Sequence, residues 1–208
     1  MRKILVVNPK GGCGKTTIAT NLASYYAVWG VSTALIDCDP QHSTLDWLKQ
    51  RPENYEPIRA VKGGPNTLHV PRGVQRVVID APARTSINQV DHLVQAANAV
   101  LIPVLPSPID IRAAAHFIGE LLLERRIKNK QIGVLANRVR ENTVIYTELE
   151  KFLKSLGIPF VTHLRDTQNY IRAAGKGIGI FEMAPSAVDQ DIEQWRPLIR
   201  WVEGKKKR

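Results

Sequence analysis

Residues 3–17 read KILVVNPKGGCGKTT: a short apolar run, a glycine-rich loop and the start of a segment with helical periodicity. This order predicts a buried strand that leads through a tight loop into a helix. Phosphate binding at such a loop needs inward backbone N–H groups, glycines that allow close wrapping, a lysine and a metal-binding hydroxyl. The residues that supply these groups stand in the required order: Gly11, Gly12, Gly14, Lys15 and Thr16. The sequence therefore predicts a nucleotide-binding loop.

The loop departs from the regular phosphate-binding pattern at one position and carries an additional lysine. The pattern G-x4-G-K-[ST] requires glycine at position 9, where this chain has Pro9, and a second lysine, Lys10, precedes the glycines. The alternative, a glycine turn that binds no ligand, is disfavoured because the match is long and lies between a predicted strand and a predicted helix.

Two further motifs follow apolar runs. Residues 35–41 read LIDCDPQ and residues 77–83 read VVIDAPA. In an open α/β sheet, ligands bind at the carboxyl ends of the strands. Asp37 and Asp39 are therefore candidates for supporting magnesium and for orienting a water, and Asp80 has the place of a metal-supporting acid. The alternative for each acid is a helix cap or a solvated carboxylate.

The rest of the chain alternates short apolar runs with helical stretches, which predicts a doubly wound α/β fold with a mostly parallel sheet flanked by helices. The segment 51–75 is rich in proline and glycine and is interpreted as an insertion at the sheet edge, with short strands near 57–61 and 67–70. The predicted main strands are residues 3–7, 33–36, 76–79, 99–104, 132–136 and 159–164. The predicted helices include residues 15–29, 109–126 and 144–156.

Composition limits the class of protein. The chain has 208 residues, 44% of them hydrophobic, a formal charge of +10 and a pI near 9.8. We expect one folded domain over residues 1–208 with a short basic tail at 204–208, and the charge indicates a polyanionic partner. The two cysteines are too few for a disulfide framework and no secretory signal is recognisable, so we expect a reduced cytoplasmic location.

Taken together, KGGCGKTT, DCDPQ and VVIDAPA resemble, in the same order, the three motifs of the ParA/MinD family of deviant Walker-type ATPases. Residues 135–139, LANRV, and the stretch from Ile171 to Glu182 resemble later segments of the same family. The resemblance implies a compact partition or positioning ATPase that uses ATP and Mg²⁺. It further implies a homodimer formed with ATP, and a ParB-like or cargo-adaptor protein that stimulates hydrolysis.

The resemblance also implies roles for single residues. Lys10 would reach the nucleotide of the neighbouring subunit, and Asp39 would place the attacking water, so that both are expected to be catalytic together with Lys15. Metal support is expected from Thr16, Asp37 and Asp80. The residues expected to bind the nucleotide are Gly11, Gly12, Cys13, Gly14, Lys15, Thr16, Thr17 and, near the adenine, Asn137.

The family divides by the surface that the ATP dimer binds. ParA-like members bind DNA without sequence preference, which would make this protein nucleoid-associated. MinD-like members bind a membrane through a C-terminal amphipathic helix, for which Ile192, Trp195, Ile199 and Val202 are candidates, although a stripe packed on the sheet is the simpler interpretation and membrane binding is not favoured. A P-loop ligase that forms amides is a further alternative. The residues expected to contact DNA are Arg138, Arg140, Arg165, Arg172 and Lys176.

Overall fold

The computed structural model describes residues 1–64, 67–124 and 130–204. Its centre is a sheet of seven strands in the order β3-β2-β4-β1-β5-β6-β7, and every neighbouring pair is parallel. The strands are β1 Arg2–Val6, β2 Thr33–Asp37, β3 Arg59–Lys62, β4 Arg76–Asp80, β5 Ala99–Val104, β6 Gln131–Val139 and β7 Phe160–Arg165. The predicted fold class is confirmed.

Helices cover both faces of the sheet. The apolar faces of α3, α4 and α5 contribute to one core cluster, and those of α1, α2, α6 and α7 to the other. The helices are α1 Lys15–Val28, α2 Ser43–Lys49, α3 Ile87–Ala96, α4 Pro108–Leu123, α5 Val144–Ser155, α6 Gln168–Ala174 and α7 Pro185–Val202, with a short 3-10 helix at Ile180–Glu182.

Strand β1 shows why the central strands are continuous apolar runs. Side chains alternate between the two faces of a strand. Leu5 belongs to the core cluster under α3, α4 and α5, whereas Ile4 and Val6 belong to the cluster under α1 and α7. Both faces are therefore buried, and an alternating apolar and polar pattern is absent from this strand.

The strand order places the glycine-rich loop near the middle of the sheet, at the carboxyl ends of its strands. From β1 the chain moves to β2, which lies beyond β4, and from β4 it crosses to β5 on the other side of β1. Such a switch point leaves a crevice at the carboxyl ends of the strands. Residues 7–14, which follow β1, enter this crevice.

The edge insertion matches the sequence prediction only in part. Its first strand forms as β3 and pairs with β2 at the sheet edge, but the strand predicted over 67–70 is wrong. The N–H of Gly64 bonds the carbonyl of Thr67, and Leu68 and Val70 pack on the core without belonging to a strand. Helix α4 ends at Leu123, and residues 125–126 of the predicted helix lie outside the described residues.

The apolar stripe of α7 packs against the sheet. Trp195 and Val202 are fully buried, Ile199 is 9% exposed and Ile192 packs against the same core cluster. Over the described ranges, no helix is both long and apolar enough to cross a membrane. The predicted tail residues 205–208 lie outside those ranges.

Candidate nucleotide site

The glycine-rich loop closes around the amine of Lys15. Gly12 and Gly14 have φ values of +78° and +94°, in the left-handed region that favours glycine. Helix α1 begins at Lys15, whose Nζ donates a 3.0 Å hydrogen bond to the carbonyl of Lys10, and Lys15 is only 6% exposed. A buried ammonium at the N-terminal end of a helix, next to backbone N–H groups, is a site for an anion.

Two asparagines hold this loop in place. Asn8 accepts a 2.8 Å bond from the N–H of Lys10 and donates a 2.6 Å bond to the carbonyl of Pro103 on β5. Asn137, near the end of β6, donates a 2.8 Å bond to the carbonyl of Cys13. A Cβ atom at Gly14 would overlap the amide of Asn137. Sequence reasoning missed Asn8, and its only signal is a polar residue directly after an apolar strand.

The hydroxyl of Thr16 donates a 2.7 Å hydrogen bond to Oδ2 of Asp80 at the end of β4. The other oxygen of Asp80, Oδ1, is buried and has no hydrogen-bond partner within the described protein. Burial raises the pKa of Asp80 to about 7, and the bond from Thr16 opposes that rise. A hydroxyl beside a desolvated carboxylate with one unbonded oxygen fits a hard divalent cation such as Mg²⁺.

Asp39 and Asp37 lie two residues apart and make different contacts. Oδ2 of Asp39 accepts a 2.9 Å bond from the N–H of Ala83, and Oδ1 accepts a bond of the same length from Gln41. Asp39 is partly exposed. It therefore lies in the loop that faces the site and joins that loop to the one after β4.

Asp37, predicted to support the metal, is held by hydrogen bonds at the start of α2. It is fully buried, and its Oδ2 accepts bonds from the N–H and hydroxyl of Thr44 and from the N–H of Leu45 at the start of α2. Its Oδ1 accepts a bond from the N–H of Asp39. Because both oxygens are used in this way, Asp37 anchors α2 and the Asp39 loop.

The loop after β4 is also fixed to the glycine-rich loop. The N–H of Arg84 donates a 2.7 Å bond to the carbonyl of Pro9, and Arg84 has a φ of +55°, which is uncommon for a residue other than glycine. The sequence carries no signal for this contact, because it depends on two loops that meet only in the folded chain.

The two cysteines sit near the site as thiols. Burial raises the pKa of the Cys13 thiol, and Cys13 donates a 3.3 Å bond to the carbonyl of Lys10. Burial also raises the pKa of Cys38 to about 12. The described residues contain no cluster of three or more histidine, cysteine or acidic side chains arranged to hold a metal ion.

Of the five basic residues predicted to contact DNA, Arg138 lies within β6 and Arg165 ends β7, whereas Arg140, Arg172 and Lys176 lie in the segments that follow these strands. Arg165 is bound to the fully buried Asp191 and to Gln190, and Arg140 forms an exposed pair with Asp166 over 3.2 Å. The side chains of Arg138, Arg172 and Lys176 are exposed and make no ion pair with any described residue. The structure thus separates free cations from internally bound ones.

A glycine-rich loop with a buried lysine, a hydroxyl and carboxylates at a sheet switch point defines a P-loop nucleotide-binding protein. Residues 4–180 match the family model described as the CobQ/CobB/MinD/ParA nucleotide binding domain, and the chain belongs to this family.

Known proteins agree with this assignment. The chain is 29% identical over 205 residues to the maintenance of carboxysome distribution protein A of Halothiobacillus neapolitanus, covering 90% of this chain and 91% of that protein. It is 30% identical over 186 residues to the protein of the same name from Gloeobacter kilaueensis, covering 87% and 84%. The fold matches a Cyanothece McdA variant solved with ATP, with a TM-score of 0.76 and 14% identity over 100% of this chain and 98% of that one.

Proposed function

We propose that this protein is an ATP-dependent positioning ATPase of the ParA type. It forms a homodimer with ATP, binds nonspecific DNA as that dimer in the cytoplasm, and is released when a partner protein stimulates hydrolysis. The single observation that carries the proposal is the joining of the glycine-rich loop to both acidic loops. The hydroxyl of Thr16 bonds Asp80 at the end of β4. Asp39 accepts a bond from Ala83 in the loop after β4, and the next residue of that loop, Arg84, bonds Pro9.

The residues present fit ATP and Mg²⁺. The backbone from Gly11 to Thr17 and the amine of Lys15 would hold the phosphates, and Thr16 with Asp80 would hold the metal. Magnesium, when bound, would neutralise phosphate charge during transfer. Asp37 then acts as a positioning residue through α2, and Asn137 positions the loop from β6.

Lys10 is the residue through which dimerisation would control the reaction. Its carbonyl faces the amine of Lys15, and its partly exposed side chain makes no hydrogen bond or ion pair with any residue that the structure describes. In the proposal this side chain contacts the nucleotide of the other subunit. Charge supplied in this way by an arginine finger is worth about 10³–10⁵ in rate, and Lys10 would provide part of such an effect.

The DNA surface is proposed at the three free cations Arg138, Arg172 and Lys176. Contacts to phosphates alone give binding without sequence preference and with a steep dependence on salt. Arg140 would add a weaker contact because Asp166 competes for it, and Arg165 is assigned to stabilising α7 through Asp191. The nucleoid is then the surface on which the dimer moves.

The membrane alternative has less support. It needs an exposed apolar face on α7, and in this structure Trp195 and Val202 are buried in the core. The amide-forming ligase alternative would need a substrate site that the sequence did not indicate. We therefore keep DNA as the proposed surface and nucleotide hydrolysis as the switch.

The cargo is proposed to be a protein assembly or a replicon. Two relatives that match most of this chain are named for carboxysome distribution, which favours a protein-shelled organelle, and plasmid or chromosome cargo is the alternative. The partner that docks on the dimer would be a ParB-like protein or a cargo adaptor.

The enzymatic part is tested by phosphate release from Mg·ATP at several protein concentrations. A dimer-controlled ATPase should show a turnover per chain that rises with concentration, and Lys15→Ala should remove it. Turnover that does not depend on concentration, although ATP is bound, would contradict control by dimerisation.

A further inference from the structure

A second cavity lies beside the candidate nucleotide site, between the carboxyl ends of β2, β3 and β4. Its volume is about 540 Å³, and its walls come from the Asp39 loop, the end of β3, the loop after β4 and helix α3. None of residues 10–17 lines it. A cavity of this size is within the range of small-molecule sites.

The two charged side chains that line this cavity are cationic, while Asp39 lies behind its wall and bonds the N–H of Ala83. Lys62 lines it from the end of β3 and Arg84 from the loop after β4, and both are exposed at its mouth. No aspartate or glutamate stands among the described residues that line it. Two exposed cations at the mouth, with no acid among the lining residues, favour a ligand that carries negative charge.

Two histidines of the cavity wall have a ring nitrogen without a hydrogen-bond partner among the described residues. Nδ1 of His42 and Nε2 of His92 are buried and have no hydrogen-bond partner among the described residues. Both histidines line the cavity, His42 next to α2 and His92 on α3. Imidazole rings in a cavity wall can donate an N–H to the oxygen atoms of a ligand, which favours a ligand with such atoms.

The remaining wall is mainly apolar, with Pro40, Pro82 and Leu93 among its residues. An apolar wall with a few converging polar groups is typical of a site for a small organic molecule. We infer that this cavity is a second ligand site, separate from the glycine-rich loop, for a small organic anion with an apolar body and a carboxylate or phosphate group.

The site adjoins the residues that the proposed function places in hydrolysis. Pro40 and Ala83 line the cavity, and each lies next to, or bonds with, Asp39. A bound anion would touch both loops and restrain their relative position. An effect of the bound anion on ATP turnover rests on the proposed function, whereas the binding of the anion to the cavity does not.

The test is calorimetric titration of the full chain, saturated with Mg·ADP, with 1-naphthyl phosphate and with 1-naphthoate. Saturation with ADP keeps the phosphate probe out of the glycine-rich loop. The neutral 1-naphthol should bind about tenfold more weakly than the better anion, since it lacks the charged hydrogen bonds. The stronger of the two anions identifies phosphate or carboxylate as the preferred group.

The matched variants are K62Q/R84Q and K154Q/R196Q. Each pair removes one lysine and one arginine, but Lys154 and Arg196 form exposed pairs on α5 and α7. We expect binding at least about tenfold weaker in K62Q/R84Q and unchanged in K154Q/R196Q. His92→Leu, which replaces the imidazole by an apolar side chain on α3, should weaken binding severalfold.

The inference is overturned by any of three results. The first is that neither anion binds the ADP-loaded protein at millimolar concentration. The second is that K62Q/R84Q binds the anions as wild type does, and the third is that both charge variants lose binding equally. These titrations measure anion binding and do not depend on ATP turnover or DNA binding. The proposed ligand site and the proposed function can therefore be disproved independently.

Discussion

Oδ2 of Asp39 accepts a 2.9 Å hydrogen bond from the backbone N–H of Ala83. The next residue, Arg84, donates its N–H to the carbonyl of Pro9, at the start of the glycine-rich loop. The loops after β1, β2 and β4 are therefore connected in series by two hydrogen bonds. In the proposed function, this connection passes a change at the bound phosphates to the loop that carries Asp39.

Asp39→Ala should hydrolyse ATP at least about a hundredfold more slowly while still forming the ATP dimer, because general-base and positioning effects are worth about 10²–10⁴. Asp39→Asn keeps one acceptor oxygen for Ala83 or Gln41 and should be equally slow. Phosphate release and light scattering measure the two effects. Asp46→Asn, which changes an exposed carboxylate paired with Lys49, is the control. Normal turnover in Asp39→Asn would remove Asp39 from the reaction.

Lys10→Ala should bind ATP as a monomer and lose the ATP dimer, because the Lys10 side chain has no described partner in its own subunit. Nucleotide affinity by calorimetry and molar mass by light scattering with ATP are the measurements. Lys49→Ala, an exposed lysine on α2, is the control and should dimerise normally. A dimer that survives in Lys10→Ala contradicts the assignment.

Gly14→Ala should weaken ATP binding at least tenfold, because it adds backbone strain of about 1–3 kcal/mol and an overlap with Asn137. Gly30→Ala has a similar φ of +67° with nothing near its Cβ, so it should lower stability by about 1 kcal/mol without affecting ATP. Equal ATP affinities in Gly14→Ala and Gly30→Ala would disprove close packing on Asn137.

Glu203 should give a pH-dependent contribution to stability. Burial alone would raise the pKa of its carboxyl, but hydrogen bonds from Arg76 and Tyr26 outweigh burial and lower that pKa. A lowered pKa in the folded state stabilises above the ordinary glutamate pKa of about 4.3, and the contribution disappears as the pH falls through the lower value. Glu203→Gln should therefore cost about 1–2 kcal/mol at pH 7, a modest value because solvent reaches Arg76.

Urea denaturation of wild type and Glu203→Gln at pH 7 and near pH 3 measures this effect. The difference between the two proteins should shrink at the acidic pH. Glu53→Gln, which alters an exposed glutamate, should change stability by less than about 0.5 kcal/mol at both values. A Glu203→Gln difference that is the same at both pH values would show that the carboxylate charge is not responsible.

The fold and the phosphate loop could be predicted because they depend on local patterns. The continuous apolar runs at Ile4 and Ile79 give buried strands, and the glycines before Lys15 give the loop. Contacts between distant residues could not be predicted in this way. The role of Asn8, the bond from Arg84 to Pro9 and the use of Asp37 at the start of α2 depend on which loops the sheet order brings together.

The roles of the basic residues also depend on contacts between distant parts of the chain. The sequence assigned five basic residues to one surface, but Arg165 lies against the buried Asp191, an acid 26 positions away in the chain. No local pattern distinguishes it from Arg172, which makes no ion pair with a described residue. Arg138, Arg172 and Lys176 are thus the members of the predicted set that make no ion pair with a described residue.

The central claim is that ATP switches binding to DNA. Its most direct test is sedimentation of the Asp39→Ala protein with unrelated duplex DNA and, separately, with anionic liposomes, with ATP or ADP and at increasing salt. The account predicts DNA binding that requires ATP, falls steeply with salt and is weakened in R172Q/K176Q but not in K154Q/R196Q. Liposome pelleting without DNA binding, or DNA binding that is equal with ATP and ADP, would contradict it.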